Sequence, residues 1–435
     1  MHSRLAARAA LVVVLVAALP APAADRLTLD DAFARVVAPQ GTASRITHPD
    51  LRLGAARGEV LAAESELAAQ RPALVAGAEL ENVFGSNRYS GVDNAELTFT
   101  LASVLERGGK RDARRALAQS RIDALGVERE AARLDLLAET ARRYLAVAAA
   151  GPMLWIAEDD IAQRRRTAIA AQRRLDAGAS PESVVLTAQA ALARAELERR
   201  RTVQEQAAAR QHLAALWGER EPDYEVAGGN ILALPDIADF GTLAALLERT
   251  PELARFADQQ RIGEARLQLA RTQATPDLQW QVGVRGFNED NENTDVALIG
   301  GLSLPLDSAR RAQPQIRAAQ AELAVTGIER EARGLALYST LAEAHGRYRV
   351  AQLEVFRLQD DVLPRLARAK AAAERAFAAG AISYLEIAQL HSDITSTRRQ
   401  QLDAALSAQR ALIEIQRLTG EPLVVGAAPA QGPTP

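Results

Sequence analysis

Metal binding and catalysis need reactive side chains gathered in space, and the residues of this chain able to do either are few and scattered. There are five histidines and no cysteine. His2, His48, His212, His345 and His391 lie far apart. Protein metal centres take His, Cys or carboxylate ligands at defined short spacings, and His391-Ser392-Asp393 offers too few. Gly108-Gly109-Lys110-Arg111 sets glycines before a lysine but lacks the Gly-x4-Gly-Lys-Ser/Thr frame of a phosphate-cradling loop. The sequence therefore predicts no catalytic residues, no cofactor and no metal ligands. A formal charge of −3, with arginines interspersed among acids, argues against nucleic acid as a main partner.

What remains is the scaffold. The 435 residues are 25% charged and only 4% aromatic. Runs rich in Ala, Arg, Glu, Gln and Leu point to long helices or coiled coils. At the start, Arg4 and Arg8 precede an apolar run around Leu11–Leu19, followed by Ala21-Pro22-Ala23. That is the pattern of an export signal over 1–23, and the run is short for a membrane anchor. Removing 1–23 takes away two arginines and leaves a charge of −5. No later segment offers ~20 apolar residues in a row. Without cysteine, neither a disulfide nor a lipid-bearing N-terminus is expected.

The chain reads as two tandem copies of one unit. His48-Pro49-Asp50-Leu51 returns as Thr250-Pro251-Glu252-Leu253, and Gly178 and Gly218 return as Gly380 and Gly420, all at an offset of 202. Repeat 1 occupies 49–222, with a first helix, a β-hairpin over 73–105, and long helices over 110–177 and 181–217. Repeat 2 occupies 251–423, with a first helix, a hairpin over 277–306, and long helices over 310–379 and 383–419. Pro152 and Pro364 should bend or break the longest helices. A heptad seam rich in alanine, from Ala113 and Leu117 through Ala141, Leu145 and Ala148, predicts close helix packing.

The strands carry the period-two pattern. Leu97, Phe99 and Leu101 alternate with Thr98, Thr100 and Ala102, and Leu278, Trp280, Val282 and Val284 with Gln279, Gln281, Gly283 and Arg285. Val296, Leu298, Leu302, Leu304 and Leu306 are expected on one face of the last strand. Each run is long enough to cross a bilayer when tilted. A half-buried hairpin on a soluble domain is the alternative; the export signal and the missing second apolar layer favour a lipid-facing barrel. Four strands cannot close one, and an open edge in lipid strands backbone groups. Two copies would give eight strands and three would give twelve.

This plan resembles the outer-membrane factor family, the TolC-like channels of tripartite efflux pumps. The likeness covers nearly the whole chain after the leader. Leu80-Glu81-Asn82-Val83-Phe84-Gly85, followed by the stretch from Ala95 to Arg111 ending in Gly-Gly-Lys-Arg, resembles the heavy-metal efflux (CzcC-like) branch. The resemblance implies a mainly α fold with a small transmembrane β part. Three chains would share a twelve-stranded barrel from which a long helical barrel hangs into the periplasm. Residues 24–48 would be an N-terminal belt segment, 223–250 an equatorial connector and 424–435 a disordered tail. Implied partners are two sister subunits, a periplasmic adaptor, an inner-membrane proton-driven transporter and outer-membrane lipid. Gly178 and Gly380 would mark the tip turns on which an adaptor docks. Glu386 would line a pore constriction, although Val184 holds the equivalent position of repeat 1, and a solvated helix-face glutamate is the alternative. Arg107, Lys110, Arg111, Arg114 and Arg115, answered by Arg310 and Arg311, would sit at the membrane interface, either on lipid headgroups or in water at a helix start. Glu289, Asp290, Glu292 and Asp295 make the second outer loop acidic. The implied function is passive conduction of heavy-metal cations from periplasm to exterior. Export of drugs or other organic compounds is the rival, and a soluble periplasmic coiled-coil adaptor is a rival of another class.

Overall fold

Heptad-spaced apolar residues build helices here and alternating ones build strands, and the chain segregates the two along its length. The computed structural model describes residues 26–37, 48–290 and 293–426. The predicted leader and Glu292 lie outside the described residues. The first copy runs β1 (Arg26–Leu27), α1 (Leu29–Val37), α2 (Pro49–Ala69), β2 (Val75–Glu81), β3 (Glu96–Leu105), α3 (Lys110–Asp176) and α4 (Glu182–Ala214). β4 (Glu225–Val226) and α5 (Phe240–Leu246) connect it to the second. That copy runs α6 (Pro251–Thr272), β5 (Leu278–Asp290), β6 (Asn293–Ser303), α7 (Ser308–Arg357), α8 (Leu363–Ala378) and α9 (Tyr384–Thr419).

Helix α3 has 67 residues, a length of about 100 Å at 1.5 Å per residue. α2 and α4 both pack along it, so two shorter helices match one long one. Of the α3 seam, Ala113, Leu117, Ala124, Ala138, Ala141, Leu145 and Ala148 are buried. Alanine there lets neighbouring helices come close and keeps the wall thin.

The core lies at mid-length. Leu145 of α3, Leu213 of α4 and Ile413 of α9 close around Leu27 and Val36 from the N-terminal segment. Beside them Leu243, Leu341, Tyr348, Ile415 and Leu418 form a second cluster. β1 pairs in parallel with β4, setting Arg26 and Leu27 of the expected belt segment against Glu225 and Val226 of the connector. The Tyr144 hydroxyl lies 3.1 Å from the Leu27 carbonyl and 2.8 Å from that of Ala227, which holds both segments against α3.

Three sequence expectations are corrected. Helix α3 is unbroken through Pro152. Proline normally clashes with the Cβ of the residue before it, and that residue is Gly151, which has none. At Pro364 the break does occur, as a five-residue π-turn over Leu358–Val362 ahead of α8. Strand β6 ends at Ser303, so Leu304 and Leu306 fall outside it. Finally, 424–426 are not loose. The Val424 N–H donates to Gln416 at 3.1 Å and the Gly426 N–H to Gln409 at 3.4 Å; residues 427–435 lie outside the described residues.

The sheet has the order β2-β3-β5-β6, antiparallel throughout, so the hairpins of the two copies join edge to edge. β2 and β6 remain open edges in the single chain. Helix α2 buries none of its residues, and Leu53, Val60 and Leu67, seven apart, are each more than half exposed.

Candidate functional site

Strand register sorts every side chain of the sheet onto one of two faces. Phe99 is paired with Ala78 on one side and Val284 on the other, and Val284 with Leu298. One step along, Leu101 lies opposite Ala76 and Val282. This gives an uninterrupted apolar face on which Phe99, Val284 and Leu298 are solvent-exposed. Exposed apolar surface of that extent marks an interaction surface, and its alternation along tilted strands fits lipid.

The opposite face is polar. Glu79 pairs with Thr98, Glu81 with Glu96, Thr98 with Arg285, and Phe287 with Asp295. Glu81 and Glu96 stand directly opposite each other, a destabilising arrangement if left alone. Arg285 resolves it: its guanidinium reaches Glu96 at 3.0 Å, Glu81 at 3.3 Å and the Thr98 hydroxyl at 3.0 Å. Among the described residues of this face, four carboxylates stand against one guanidinium, a formal −3 per chain. Glycines make room on the same face: a Cβ on Gly283 would lie 2.5 Å from the Phe99 carbonyl oxygen.

The join between sheet and helix answers what Gly-Gly-Lys-Arg does. Gly108 and Gly109 both take left-handed backbone, φ +74° and +75°, which glycine alone adopts without strain. A Cβ on Gly108 would also stand 2.6 Å from the Thr275 hydroxyl. The reversal delivers Lys110 to Asp277 at the foot of β5, at 2.7 Å with the lysine side chain only 6% exposed. The Arg107 N–H donates to the same carboxylate at 3.1 Å. Lys110 thus clamps the first copy to the second. Arg114 is paired with Glu106, while Arg107, Arg115, Arg310 and Arg311 are exposed and Arg111 is half-buried.

At the far end, α3 and α8 finish in matching turns. Gly178 and Gly380 have φ of +71° and +78°. The Ala179 N–H reaches back to the Arg174 carbonyl, as that of Ala381 does to Ala376, the Schellman arrangement. The next helices start differently. α4 begins after Pro181 with no side-chain cap, whereas Ser383 and Glu386 form a capping box on α9. The Glu386 carboxylate accepts from the Ser383 N–H at 2.7 Å and its hydroxyl at 2.8 Å. These bonds hold its pKa below the ordinary glutamate value. Glu386 is exposed, and both bonds fall on the same carboxylate oxygen, Oε2.

The histidines do not gather. His48 caps α2, His212 is exposed and His345 lies against the Phe240 ring. His391 is buried beside Thr167, and His2 is outside the described residues. Among the described residues no group of three or more His, Cys, Asp or Glu is placed to hold a metal ion. The side chains of Glu289 and Asp290 are likewise outside what is described.

Sequence reasoning missed two clusters. Lys110 and Asp277 are 167 positions apart, and no spacing pairs them. The Arg285 cluster was within reach, since strand parity alone places Glu81, Glu96 and Arg285 on one face.

An open-edged sheet with one apolar and one polar face thus stands at the end of a helix about 100 Å long. The match to the family model of outer membrane efflux proteins runs over residues 44–219 and 242–421, one segment per copy, and the chain belongs to that family. It is 27% identical over 406 residues to the cobalt-zinc-cadmium resistance protein CzcC of Cupriavidus metallidurans, covering 93% of each chain. Among solved structures it resembles CusC, with a TM-score of 0.73 at 16% identity, covering 90% of this chain and 91% of that one. VceC from Vibrio cholerae gives 0.70 at 18% identity, with 90% and 96% covered. The protein is thus an outer-membrane efflux channel reaching into the periplasm, and the reading as a soluble adaptor is set aside. Among the described residues no helix is long and apolar enough to cross a membrane.

Proposed function

We propose that three copies of this chain form the outer-membrane duct of a heavy-metal efflux system, conducting divalent or monovalent metal cations passively outward. The observation that carries this reading is the polar face of the sheet. Closed into a barrel, it faces the lumen, and its excess of carboxylates recurs in each subunit. A water-filled passage lined by one sign of charge concentrates ions of the opposite sign. The likeness to a cobalt-zinc-cadmium resistance protein supports the same cargo. The metal here is cargo in transit and not a resident cofactor.

Assembly supports the trimer. β2 of one chain pairs with β6 of the next, completing twelve strands. The exposed α2 row of Leu53, Val60 and Leu67 meets exposed apolar residues of α7 such as Val325, Ile328 and Leu335. The turns at Gly178 and Gly380 receive the periplasmic adaptor, through which a proton-driven inner-membrane transporter supplies the cargo. Glu386 contributes its free oxygen to a carboxylate ring at the tip, and Arg111, Arg310 and Arg311 stand at the membrane interface.

Deleting the gene tests the cargo. Loss of tolerance to cobalt, zinc, cadmium, copper or silver with drug tolerance intact supports the proposal; the reverse pattern assigns organic compounds. Glu386→Gln tests the tip separately, because glutamine still completes a capping box. Reduced cation selectivity in planar bilayers is expected, and unchanged selectivity removes Glu386 from the pore.

A further inference from the structure

We infer that the outer side of the strand-to-helix join in the first copy is a binding site for an anionic glycerophospholipid of the inner leaflet. The inference rests on the membrane-spanning reading of the sheet and names a lipid partner for its periplasmic rim. A cavity of about 790 Å³ opens there. Its upper wall is apolar: Leu74, Leu105 and Trp280. Trp280 and Leu105 lie on the lipid-facing side of the sheet by register, since Trp280 alternates with Gln279 and Gln281 and Leu105 continues the row of Phe99 and Leu101. Leu74 and Leu105 are exposed. The lower wall is charged and includes Arg71 and Arg111. The cavity therefore continues the acyl-contacting band at the depth where headgroups lie, with a tryptophan at that boundary, where such rings are enriched.

Charge selects the headgroup. Lys110 also lines the cavity but is committed to Asp277. Glu106 is committed to Arg114. Arg71 and Arg111 make no ion pair or side-chain hydrogen bond among the described residues, and the carboxylate of Asp112 is the one acid there in the same position. Two free guanidiniums against one carboxylate leave a net positive site, to which the N-terminus of α3 adds its partial charge. Guanidinium is the side chain best shaped to hold a phosphate. The apolar wall supplies a track for one acyl chain, which a free phosphate would leave bare, so the occupant is a phospholipid with net negative charge, of the phosphatidylglycerol kind.

The second copy lacks the pair. Gln273 stands at the 202-residue offset from Arg71, and Ala309, the second residue of α7, takes the place that Arg111 holds as the second residue of α3. One site per chain is expected, and three per trimer. The test is native mass spectrometry of the full-length assembly from mixed phosphatidylglycerol and phosphatidylethanolamine. Up to three phosphatidylglycerols should remain per trimer in preference to phosphatidylethanolamine. Arg71→Gln with Arg111→Gln should weaken that preference roughly thirtyfold, or about fivefold per arginine charge. Arg166→Gln with Arg173→Gln, two exposed arginines near the far end of α3, should leave it unchanged. If the double variant fails to assemble, each single variant should still lose its fivefold share. Equal retention of both lipids, or retention indifferent to Arg71 and Arg111, in a trimer that still conducts, overturns the site. A protein that retains no lipid and forms no channel overturns the membrane reading instead.

Discussion

The middle of this molecule is finished within one chain, and its sheet is not. At mid-length, Arg417 on α9 reaches Glu252 at 2.6 Å, Glu414 at 2.8 Å and Asp135 at 3.0 Å, with its side chain 15% exposed. Burial works against that charge, but the hydrogen bonds that Arg417 donates to Glu414 and Glu252 outweigh it and raise the arginine pKa. Both copies meet there, and Arg417 alone has three carboxylate partners. The sheet shows the opposite: apolar side chains turned outward and two edges unpaired. The middle explains how a single chain keeps its shape. The sheet explains why one chain is not the working unit.

Breaking the finished region should cost most. Arg417→Ala would strip Glu252 and Glu414 of their shared partner, leaving Glu252 to Arg333 and Glu414 to Arg142, at a loss of about 3 kcal/mol, the low end for a broken buried pair, read as a lower urea midpoint. The same node has a pH signature. Burial tends to raise the Glu252 and Glu414 pKa values, but hydrogen bonds from Arg417, and from Arg333 to Glu252, win and lower both below the ordinary 4.5. A carboxylate whose folded pKa is depressed stabilises the fold above its unfolded pKa and loses that as pH falls through the folded one. The middle should therefore loosen only below about pH 4.5, a loss absent from a variant carrying Glu252→Gln and Glu414→Gln.

In the unfinished region the outward face should be sensitive only in lipid. Leu298 is 87% exposed in the single chain. Leu298→Arg should cost about 2–4 kcal/mol of bilayer stability at mid-membrane depth, measured by unfolding from vesicles. An exposed leucine meeting only water would tolerate the change within about 0.5 kcal/mol. At the border of the two regions, Gly108→Ala should cost about 1–3 kcal/mol through backbone strain and the Thr275 contact. The smallest effect belongs to the tip, where Ser383→Ala should cost about 1 kcal/mol and appear as faster hydrogen exchange at 384–387, with the α4 start unaffected.

Period two and the heptad were legible because each is a local repeat that one face must satisfy. Phe99 and Val284 announce the apolar face of the sheet, and Leu117 and Leu145 the seam of α3. Gly178 and Gly380 were legible as turns because left-handed backbone demands glycine, whereas the same demand at Gly108 went unread. Ser383-x-x-Glu386 carried the signature of a capping box in plain sight, while its resemblance to a pore residue drew attention to the other role. Lys110–Asp277 and Arg417–Glu252 were not legible, because each joins residues more than 160 positions apart whose meeting depends on how the two copies stack. Pro152 misled because Gly151 has no Cβ for the proline ring to meet, and the one hydrogen bond that proline removes does not break a helix packed on α2, α4, α6 and α9.

The central claim is that sister subunits complete the sheet. The most direct measurement is the mass of the purified protein in mild detergent, by native mass spectrometry, with the same sample reconstituted for conductance. The account predicts three copies per particle and a cation-preferring pore. A monodisperse single chain, soluble without detergent and silent in a bilayer, would contradict it.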